Sequence, residues 1–250
     1  IGYTGMRIRG SDASRINVTI NGVPLNDAES QGVYWVDLPD LGASVSGLQI
    51  QRGVGTSTVG PGAFGGSVAV NTLGDIVKPH VKAVLGMGSF NSYRQSVSWN
   101  TGMLGDGISF DGRASHISSD GYIDRASSEL SSLYTSLVKR WTSGKVSLTT
   151  MLGHERTYQA WYGVPQIVTE EDISDTDIQD WAAGSFEYGY GDDSQRISDL
   201  IENRRTHNYY NYENEVDDYN QNHFQLHLEQ NIGIADLGVA LYTTTGAGYY

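Results

Sequence analysis

The chain has 250 residues, a formal net charge of −13, 31 glycines, 16 tyrosines and no cysteine. The lack of cysteine excludes disulfide frameworks and thiolate metal sites, and the acidic balance excludes the basic footprint of a nucleic-acid-binding protein. No run of 18 apolar residues occurs, which excludes a transmembrane helix but not membrane strands, since these alternate apolar and polar residues.

The first 75 residues read as short strands joined by turns. Apolar and polar residues alternate over Met6–Arg9 and again over Ile16–Ile20. Asn21-Gly22 is a tight-turn signal that leads into a second short strand. This pattern predicts a compact, glycine-rich domain of mixed short elements.

A glycine-rich stretch from Gln49 to Thr72 closes this region. Its glycines lie between two short alternating runs, which predicts a strand, a glycine loop and a strand. A phosphate-binding loop would need a lysine and a Ser/Thr that opens a helix. Gly66 instead leads into Ser67-Val68-Ala69-Val70, which favours a strand, so nucleotide binding is not predicted.

After a linker at Asp75–Pro79 the alternating runs become long enough to cross a bilayer at a tilt. Seven such strands are predicted: Val81–Phe90, Tyr93–Met103, Gly107–Ile117, Leu133–Trp141, Lys145–Glu155, Tyr219–Ile232 and Leu237–Gly246. The sixth has Phe224, Leu226, Leu228 and Ile232 on one face and Gln225, His227 and Glu229 on the other. In the third, Asp111 and Arg113 share the polar face. Short turns follow the even strands, while long loops follow the third (Ser118–Ser132) and the fifth (Arg156–Asp218).

The loop at 156–218 concentrates the acidity of the chain. From Thr157 to Asp218 there are fifteen acidic and three basic residues, which accounts for −12 of the net charge. Aromatic residues punctuate these charges, and their large rigid rings suit ligand contact. The candidates for ligand binding are Tyr158, Trp161, Tyr162, Trp181, Tyr188 and Tyr190. The alternative is that these rings pack only on one another. The charge favours a neutral or cationic ligand.

Metal binding, cofactor binding and catalysis are not predicted. The six histidines are scattered, and His223 and His227 would lie roughly 13 Å apart along one strand, too far for one metal ion. The loop carboxylates have no EF-hand spacing, so Glu170, Glu171, Asp172, Asp192 and Asp193 are interpreted as a solvated acidic surface, with a Ca²⁺ site as the alternative. No nucleophile elbow G-x-S-x-G occurs, and the chain is not expected to be an enzyme.

Four segments together resemble one protein family. GMRIRGSD (Gly5–Asp12), INVTINGVPLNDAESQ (Ile16–Gln31), VDLPDL (Val36–Leu41) and the glycine-rich stretch resemble the plug domain of TonB-dependent outer-membrane receptors, in that family's order. Their wording is most similar to receptors of the Bacteroidetes type. The resemblance implies a mainly β protein, with the later part of a plug at 1–75 and the first seven strands of a 22-stranded transmembrane antiparallel β-barrel at 76–250. It also implies a piece of a longer receptor, with the loop at 156–218 extracellular.

The same resemblance implies a function. It would be ligand capture at the surface of a Gram-negative bacterium and import across the outer membrane into the periplasm, with energy from a TonB-type coupling protein. The ligand would be a siderophore, haem, cobalamin, a peptide or a glycan, and a surface lipoprotein would be a further partner beside outer-membrane lipid. The plug arginines Arg7, Arg9 and Arg52 would pair with carboxylates of the barrel wall, unless they are only solvated. The alternative is a passive outer-membrane porin or a surface-binding barrel without active import.

Overall fold

The structure is a computed structural model. It describes residues 2–53, 64–72, 78–170, 172–185, 190–191 and 193–250, so the centre of the glycine-rich loop and most of the linker at 75–79 lie outside the described residues. Two sheets organise the chain, one of four strands and one of seven. The four-stranded sheet belongs to residues 2–53 and 64–72, called the small domain below.

The small domain is built from strands β1 to β4. They span Ile16–Ile20, Val23–Pro24, Gly47–Arg52 and Gly66–Asn71, in the spatial order β2-β1-β4-β3. β1 and β4 run parallel and the other pairs are antiparallel. The turn between β1 and β2 has φ of 53° at Asn21 and 80° at Gly22, the left-handed backbone that these residue types favour.

A single 3₁₀ turn at Ala13–Arg15 precedes β1, and two more, at Trp35–Asp37 and Leu41–Ser44, lie between β2 and β3. The core of the small domain is formed by side chains of β1 and β4, which include Ile16, Ile20 and Val68, each 1% exposed. Two residues of the large sheet, Tyr134 and Met151, complete the same core. The small domain is therefore packed directly against the large sheet.

The large sheet contains the seven strands that the alternation predicts. They are β5 His80–Gly88, β6 Ser92–Asn100, β7 Ile108–Ser119, β8 Ser128–Trp141, β9 Gly144–Tyr158, β10 Val216–Asn231 and β11 Asp236–Tyr249. Each strand pairs antiparallel with the next in the sequence.

Some strands begin or end at residues other than the predicted ones, because turns and strand pairing set these ends. β5 ends at Gly88, because Phe90 and Asn91 have positive φ and form a turn. β8 begins five residues before the predicted Leu133, since its ladder with β9 continues to the pair Ser128 and Thr157. The loop predicted at 118–132 is correspondingly shorter. The loop predicted at 156–218 comprises residues 159–215.

The two faces of the large sheet have opposite chemistry. The face against the small domain, called the covered face, carries Arg113, Thr149 and Gln225, which are 3%, 0% and 3% exposed. The other, called the open face, carries apolar side chains such as Val97, Leu137, Leu148, Phe224 and Leu226, all at least 38% exposed. The small domain thus lies on the polar face, as the alternation predicts.

The described residues between 159 and 215 form a helical unit, which the alternation of apolar and polar residues does not predict. Helices α1 (Asp175–Gly184) and α2 (Ser194–Glu202) pack on each other, and their buried side chains include Ile178, Tyr190 and Leu200. Ser174 caps α1 in a capping box with Asp177, and the Asp193 side chain caps α2. These caps were readable from the sequence as S-x-x-D and an Asp before an amphipathic run.

Within the described residues, neither helix is long and apolar enough to cross a membrane.

Candidate functional site

A cavity of about 820 Å³ lies between the small domain and the covered face of the large sheet. This volume is within the usual range of small-molecule sites. The small domain contributes the segment 24–38, and strands β9, β10 and β11 contribute the opposite wall. The cavity lies near the C-terminal end of β9, so Trp161, just beyond that strand, also lines it.

Close backbone contact positions the segment 24–38 against β9. The Cα of Gly153 lies so near the carbonyl oxygen of Asp37 that a Cβ at Gly153 would overlap it, and the Cβ would also be 3.2 Å from Cδ of Pro39. Gly153 does not have positive φ. Position 153 therefore requires glycine because the two backbones lie too close together for a side chain, and not because of the backbone conformation.

A charged cluster holds Asp40, which follows the segment 24–38. The carboxylate of Asp40 accepts hydrogen bonds from Arg94 Nη2 at 2.8 Å and from Ser115 Oγ at 2.6 Å. Arg113 Nη1 lies 3.1 Å from the same carboxylate, and the Arg113 and Asp40 side chains are only 4% and 9% exposed. Arg113 Nε also donates to Ser44 Oγ at 2.8 Å. A buried guanidinium is thus matched by a carboxylate and neutral acceptors.

The polarity of this cluster is the reverse of that expected from the family resemblance. The carboxylate belongs to the small domain, and the arginines belong to the large sheet. Arg7, Arg9 and Arg52 are exposed. Within the described residues, Arg7 lies 3.8 Å from Asp12 of its own domain, and none of the three contacts a carboxylate of the seven strands. Their pairing with a barrel wall stays a prediction.

Neutral hydrogen bonds extend the contact between the domain and the sheet. Asn21 Nδ2 donates to Gln225 Oε1 at 3.1 Å, and Gln225 Nε2 donates to the carbonyl of Ile20 at 3.3 Å. Gln221 Nε2 donates to Asp37 Oδ2 at 3.2 Å. Polar side chains of β10 therefore form hydrogen bonds with the turn after β1 and with the 3₁₀ turn at Trp35–Asp37.

Three carboxylates line one end of the cavity: Asp37 from the small domain, Glu155 from β9 and Asp217 from β10. Asp37 and Glu155 are 6% and 2% exposed. The hydroxyl of Tyr3 donates to Asp217 Oδ2. Burial, and then the nearby charge of Asp217, raise the pKa of Asp37 to about 6, although a hydrogen bond with Glu155 opposes this rise.

Aromatic rings form the mouth of the cavity. The ring of Trp161 lies 5.9 Å from Tyr3, 6.2 Å from Tyr210 and 6.4 Å from Tyr250, measured between centroids. Tyr3, Trp161 and Tyr250 line the cavity, whereas Tyr162 and Tyr210 stack on each other at 5.5 Å beside it. Trp161 and Tyr162 are 48% and 55% exposed, so both keep ring surface that is free for a ligand.

The other aromatic candidates have different surroundings. Tyr158 lines an adjacent cleft of about 530 Å³ and donates its hydroxyl hydrogen to the carbonyl of Tyr212 at 2.6 Å. Trp181 and Tyr190 pack together at 6.1 Å within the helical unit, and Tyr190 is only 4% exposed. Tyr188 lies outside the described residues. Ligand contact by these side chains stays a prediction, and for Tyr190 the described role is packing.

His223 on the covered face contacts protein atoms through both ring nitrogens. His223 lies 3.0 Å from Thr244 Oγ1 and 3.0 Å from Gln221 Oε1. Among the described residues, no group of three His, Asp or Glu side chains has the arrangement of a metal site. Glu171 and Asp192 lie outside the described residues.

Comparisons with known proteins find one matching family and several solved structures of similar fold. Residues 2–67 match the family described as "TonB-dependent Receptor Plug Domain". The closed form of the ferric-catecholate import receptor Fiu from E. coli K12 is similar in fold, with a TM-score of 0.67, 15% identity, and coverage of 99% of this chain and 32% of that chain. None of the curated proteins compared with the chain matches it.

Two further solved receptors are also similar in fold. The siderophore receptor PiuA from Acinetobacter baumannii has a TM-score of 0.63 and 13% identity, over 98% of this chain and 31% of that one. FpvA from P. aeruginosa, solved with bound pyoverdine, has a TM-score of 0.61 and 12% identity, over 95% and 28%. The chain spans about a third of the length of these solved receptors.

Proposed function

We propose that this chain, whose residues 2–67 match the plug-domain family of TonB-dependent receptors, is part of such a receptor and captures a ligand at the surface of a Gram-negative cell for energy-coupled import. The small domain is called the plug from here on. The observation that carries the proposal is the position of the plug on the covered face, with a cavity of small-molecule size beside it.

The plug argues against the passive alternative. Its contacts with the covered face include the buried Arg113–Asp40 pair and the shared core with Tyr134 and Met151. A domain held in this way obstructs the polar side of the strands, where an open porin would conduct. Passage past it therefore requires a rearrangement, and we infer that a TonB-type coupling protein supplies the energy.

The open face supports a position in the outer membrane. Its apolar side chains are bordered at one end by aromatic residues, where Trp99 lies 6.3 Å from Phe110 and Trp141 Nε1 donates to Gln230. Such aromatic residues are typical of the interface between lipid and water. The acidic unit at 159–215 follows the opposite end of β9, so we infer that it is extracellular.

The solved receptors of similar fold suggest one candidate ligand class. The solved receptors are described as importing ferric catecholate or binding siderophores and pyoverdine. A siderophore is therefore one candidate, beside haem, cobalamin, a peptide or a glycan, and a surface lipoprotein is a candidate partner. The matched proteins are receptors, and an enzymatic activity is not proposed.

Two genetic comparisons test active import. Strains that lack the receptor, the coupling protein or both are grown on panels of single nutrients and iron sources. We expect every growth defect of the receptor deletion to occur in the coupling deletion, with no further loss in the double deletion. A receptor-dependent growth advantage that persists without the coupling protein would favour passive passage instead.

Leakage provides the matched control. Cells with the intact receptor should exclude vancomycin as well as cells without it, whereas a receptor that lacks residues 2–72 should admit the antibiotic. Equal leakage through both forms would contradict the obstructing role of the plug.

A further inference from the structure

We propose that the cavity recognises an organic cation, with an ammonium or guanidinium group bound among Asp37, Glu155 and Asp217 and its remaining surface against the aromatic mouth. The inference rests on the ligand capture proposed above, and it deepens that proposal by naming the chemical class of the ligand.

The first observation is an unbalanced set of charges. Asp37 and Glu155 are almost fully buried, and both line the cavity together with Asp217. Neither lysine nor arginine occurs among the described residues that line it. Their described hydrogen-bond donors are neutral, namely Gln221 to Asp37, Thr157 to Glu155 and Tyr3 to Asp217. Asp37 and Glu155 also share a hydrogen bond, so one proton lies between them, and the three carboxyl groups together keep a net negative charge. Buried carboxylates without a counter-charge are costly, and a cationic ligand would remove that cost.

Arg94, Arg113 and Arg156 are each paired with a carboxylate outside the cavity. Arg156, next to Glu155 in β9, points to the open face and lies 3.5 Å from Asp218. Arg94 and Arg113 both pair with Asp40. None of these three arginines therefore supplies a positive charge to the cavity.

The aromatic lining is a second and independent observation. Tyr3, Trp161, Tyr219, Tyr242 and Tyr250 line the same cavity as the carboxylates. A cation gains attraction from the face of an aromatic ring, most strongly where water is displaced. Rings and carboxylates in one cavity of about 820 Å³ therefore suit a cation with an extended organic body.

An organic cation fits better than a metal ion. The described carboxylates do not form a group with the arrangement of a metal site, whereas an ammonium or guanidinium group can hydrogen-bond to oxygens on several sides. The excess of fifteen acidic over three basic residues from Thr157 to Asp218 would also concentrate cations and repel anions near the mouth.

The charge of the cavity can be measured without knowledge of the natural ligand. The chain has no cysteine, so Thr244→Cys in β11 places one thiol on the cavity wall, and Ser89→Cys in the turn after β5 is the exposed control. Any cysteine elsewhere in the intact receptor is replaced by serine. Both variants are reacted in detergent with the trimethylammonium and sulfonate forms of ethyl methanethiosulfonate.

We expect the ratio of cationic to anionic reaction rates at Thr244→Cys to exceed the control ratio by about tenfold or more. Addition of Glu155→Gln and Asp217→Asn, which keep size and hydrogen bonding, should return it to the control value. Equal ratios at the two positions, or an unchanged ratio in the charge variants, would overturn the inference. Protease resistance of the plug verifies folding of each variant.

Binding is tested with three probes of one length: 1,6-diaminohexane, 1,6-hexanediol and adipate. Protection of the Thr244→Cys thiol from a neutral methanethiosulfonate is measured for each. We expect protection by the diamine, at least tenfold weaker protection by the diol and none by adipate. Protection by adipate equal to that by the diamine would contradict a cation site. The genetic test of import is independent of these probes, so failure here would leave the proposed import standing.

Discussion

The Nη1 atom of Arg113 in β7 lies 3.1 Å from the Oδ2 atom of Asp40, so a buried ion pair joins the large sheet to the plug. Arg94 supports the same carboxylate from β6, but its side chain is 38% exposed. The two arginines should therefore contribute differently to the free energy of docking the plug, because solvent screens an exposed ion pair more strongly than a buried one.

Asp40→Ala should destabilise docking of the plug by about 3 to 5 kcal/mol, since it leaves Arg113 buried without a counter-charge. Arg94→Ala should cost about 1 kcal/mol or less. The measurement is the urea dependence of plug protection from trypsin in detergent-solubilised receptor. Equal effects of the two substitutions would mean that burial does not decide the strength of this cluster.

Gly153→Ala should prevent the segment at Asp37 from reaching β9. The added methyl group would overlap the carbonyl oxygen of Asp37, and relief of such overpacking typically costs about 1 to 3 kcal/mol. Gly238→Ala in β11 is the matched control, since a Cβ there has no neighbour within 4 Å. Increased trypsin cleavage of the plug in Gly153→Ala but not in Gly238→Ala is expected. Identical protection in the two variants would show that the segment can move away without cost.

Docking of the plug should also depend on pH through Asp37. Because burial raises the pKa of Asp37 to about 6, the docked state holds a proton that the undocked chain releases near pH 4. The stabilisation is complete below about pH 4 and is lost as the pH rises to about 6. The charges that face Asp37 are Glu155 from β9 and Asp217 from β10.

Asp37→Asn should therefore stabilise the receptor at pH 7.5, by on the order of 2 kcal/mol, and reduce the change in melting temperature between pH 4 and pH 6. Gln221 can still donate to the amide oxygen, so the hydrogen bond is kept. Melting curves in detergent at four pH values measure the effect. A lower melting temperature for Asp37→Asn at pH 7.5 would indicate that the charge of Asp37 stabilises docking.

The aromatic residues after β9 should separate into two classes. Tyr190→Ala removes a buried ring that packs against Trp181 and lies 5.7 Å from Tyr209, so it should unfold the unit at 159–215 and expose it to protease. Trp161→Ala should leave protease resistance unchanged but weaken diaminohexane protection of the Thr244→Cys thiol about tenfold. Tyr212→Ala, which alters an exposed ring that does not line the cavity, is the control. Equal losses in Trp161→Ala and Tyr212→Ala would place the ligand elsewhere.

The repeating parts of the fold were predictable from the sequence, and the contacts between them were not. Alternation over β7 and β10 assigns Arg113 and Gln225 to a polar face, because successive side chains of a strand point to opposite sides. The family resemblance is confirmed by the match over residues 2–67, while a Bacteroidetes origin stays a prediction. The boundaries of plug and barrel at residues 75 and 76 also stay predictions.

The contacts of the site join residues that are far apart in the sequence, so local sequence patterns do not predict them. Asp40 and Arg94 are 54 positions apart, and no local pattern links a plug carboxylate to a given arginine of the sheet. The expectation that Arg7, Arg9 and Arg52 would form such pairs drew on the family and not on these residues. Gly153 likewise has no distinctive sequence context, and only the approach of Asp37 explains it. The capping box at Ser174, by contrast, was local and readable.

The parallel pairing of β1 and β4 has a mechanical consequence. Five residue pairs, from Ile16 with Gly66 to Ile20 with Val70, join these strands, and the chain after β4 continues into β5 of the large sheet. Tension between the N-terminal end of β1 and the C-terminal end of β4 would act along both strands and load their hydrogen bonds together in shear. The antiparallel hairpin of β1 and β2 has two pairs and can open one pair at a time, like a zipper. A pull from the N-terminal side should therefore meet its greatest resistance at the centre of the plug, so that β1 and β4 yield in one step or not at all.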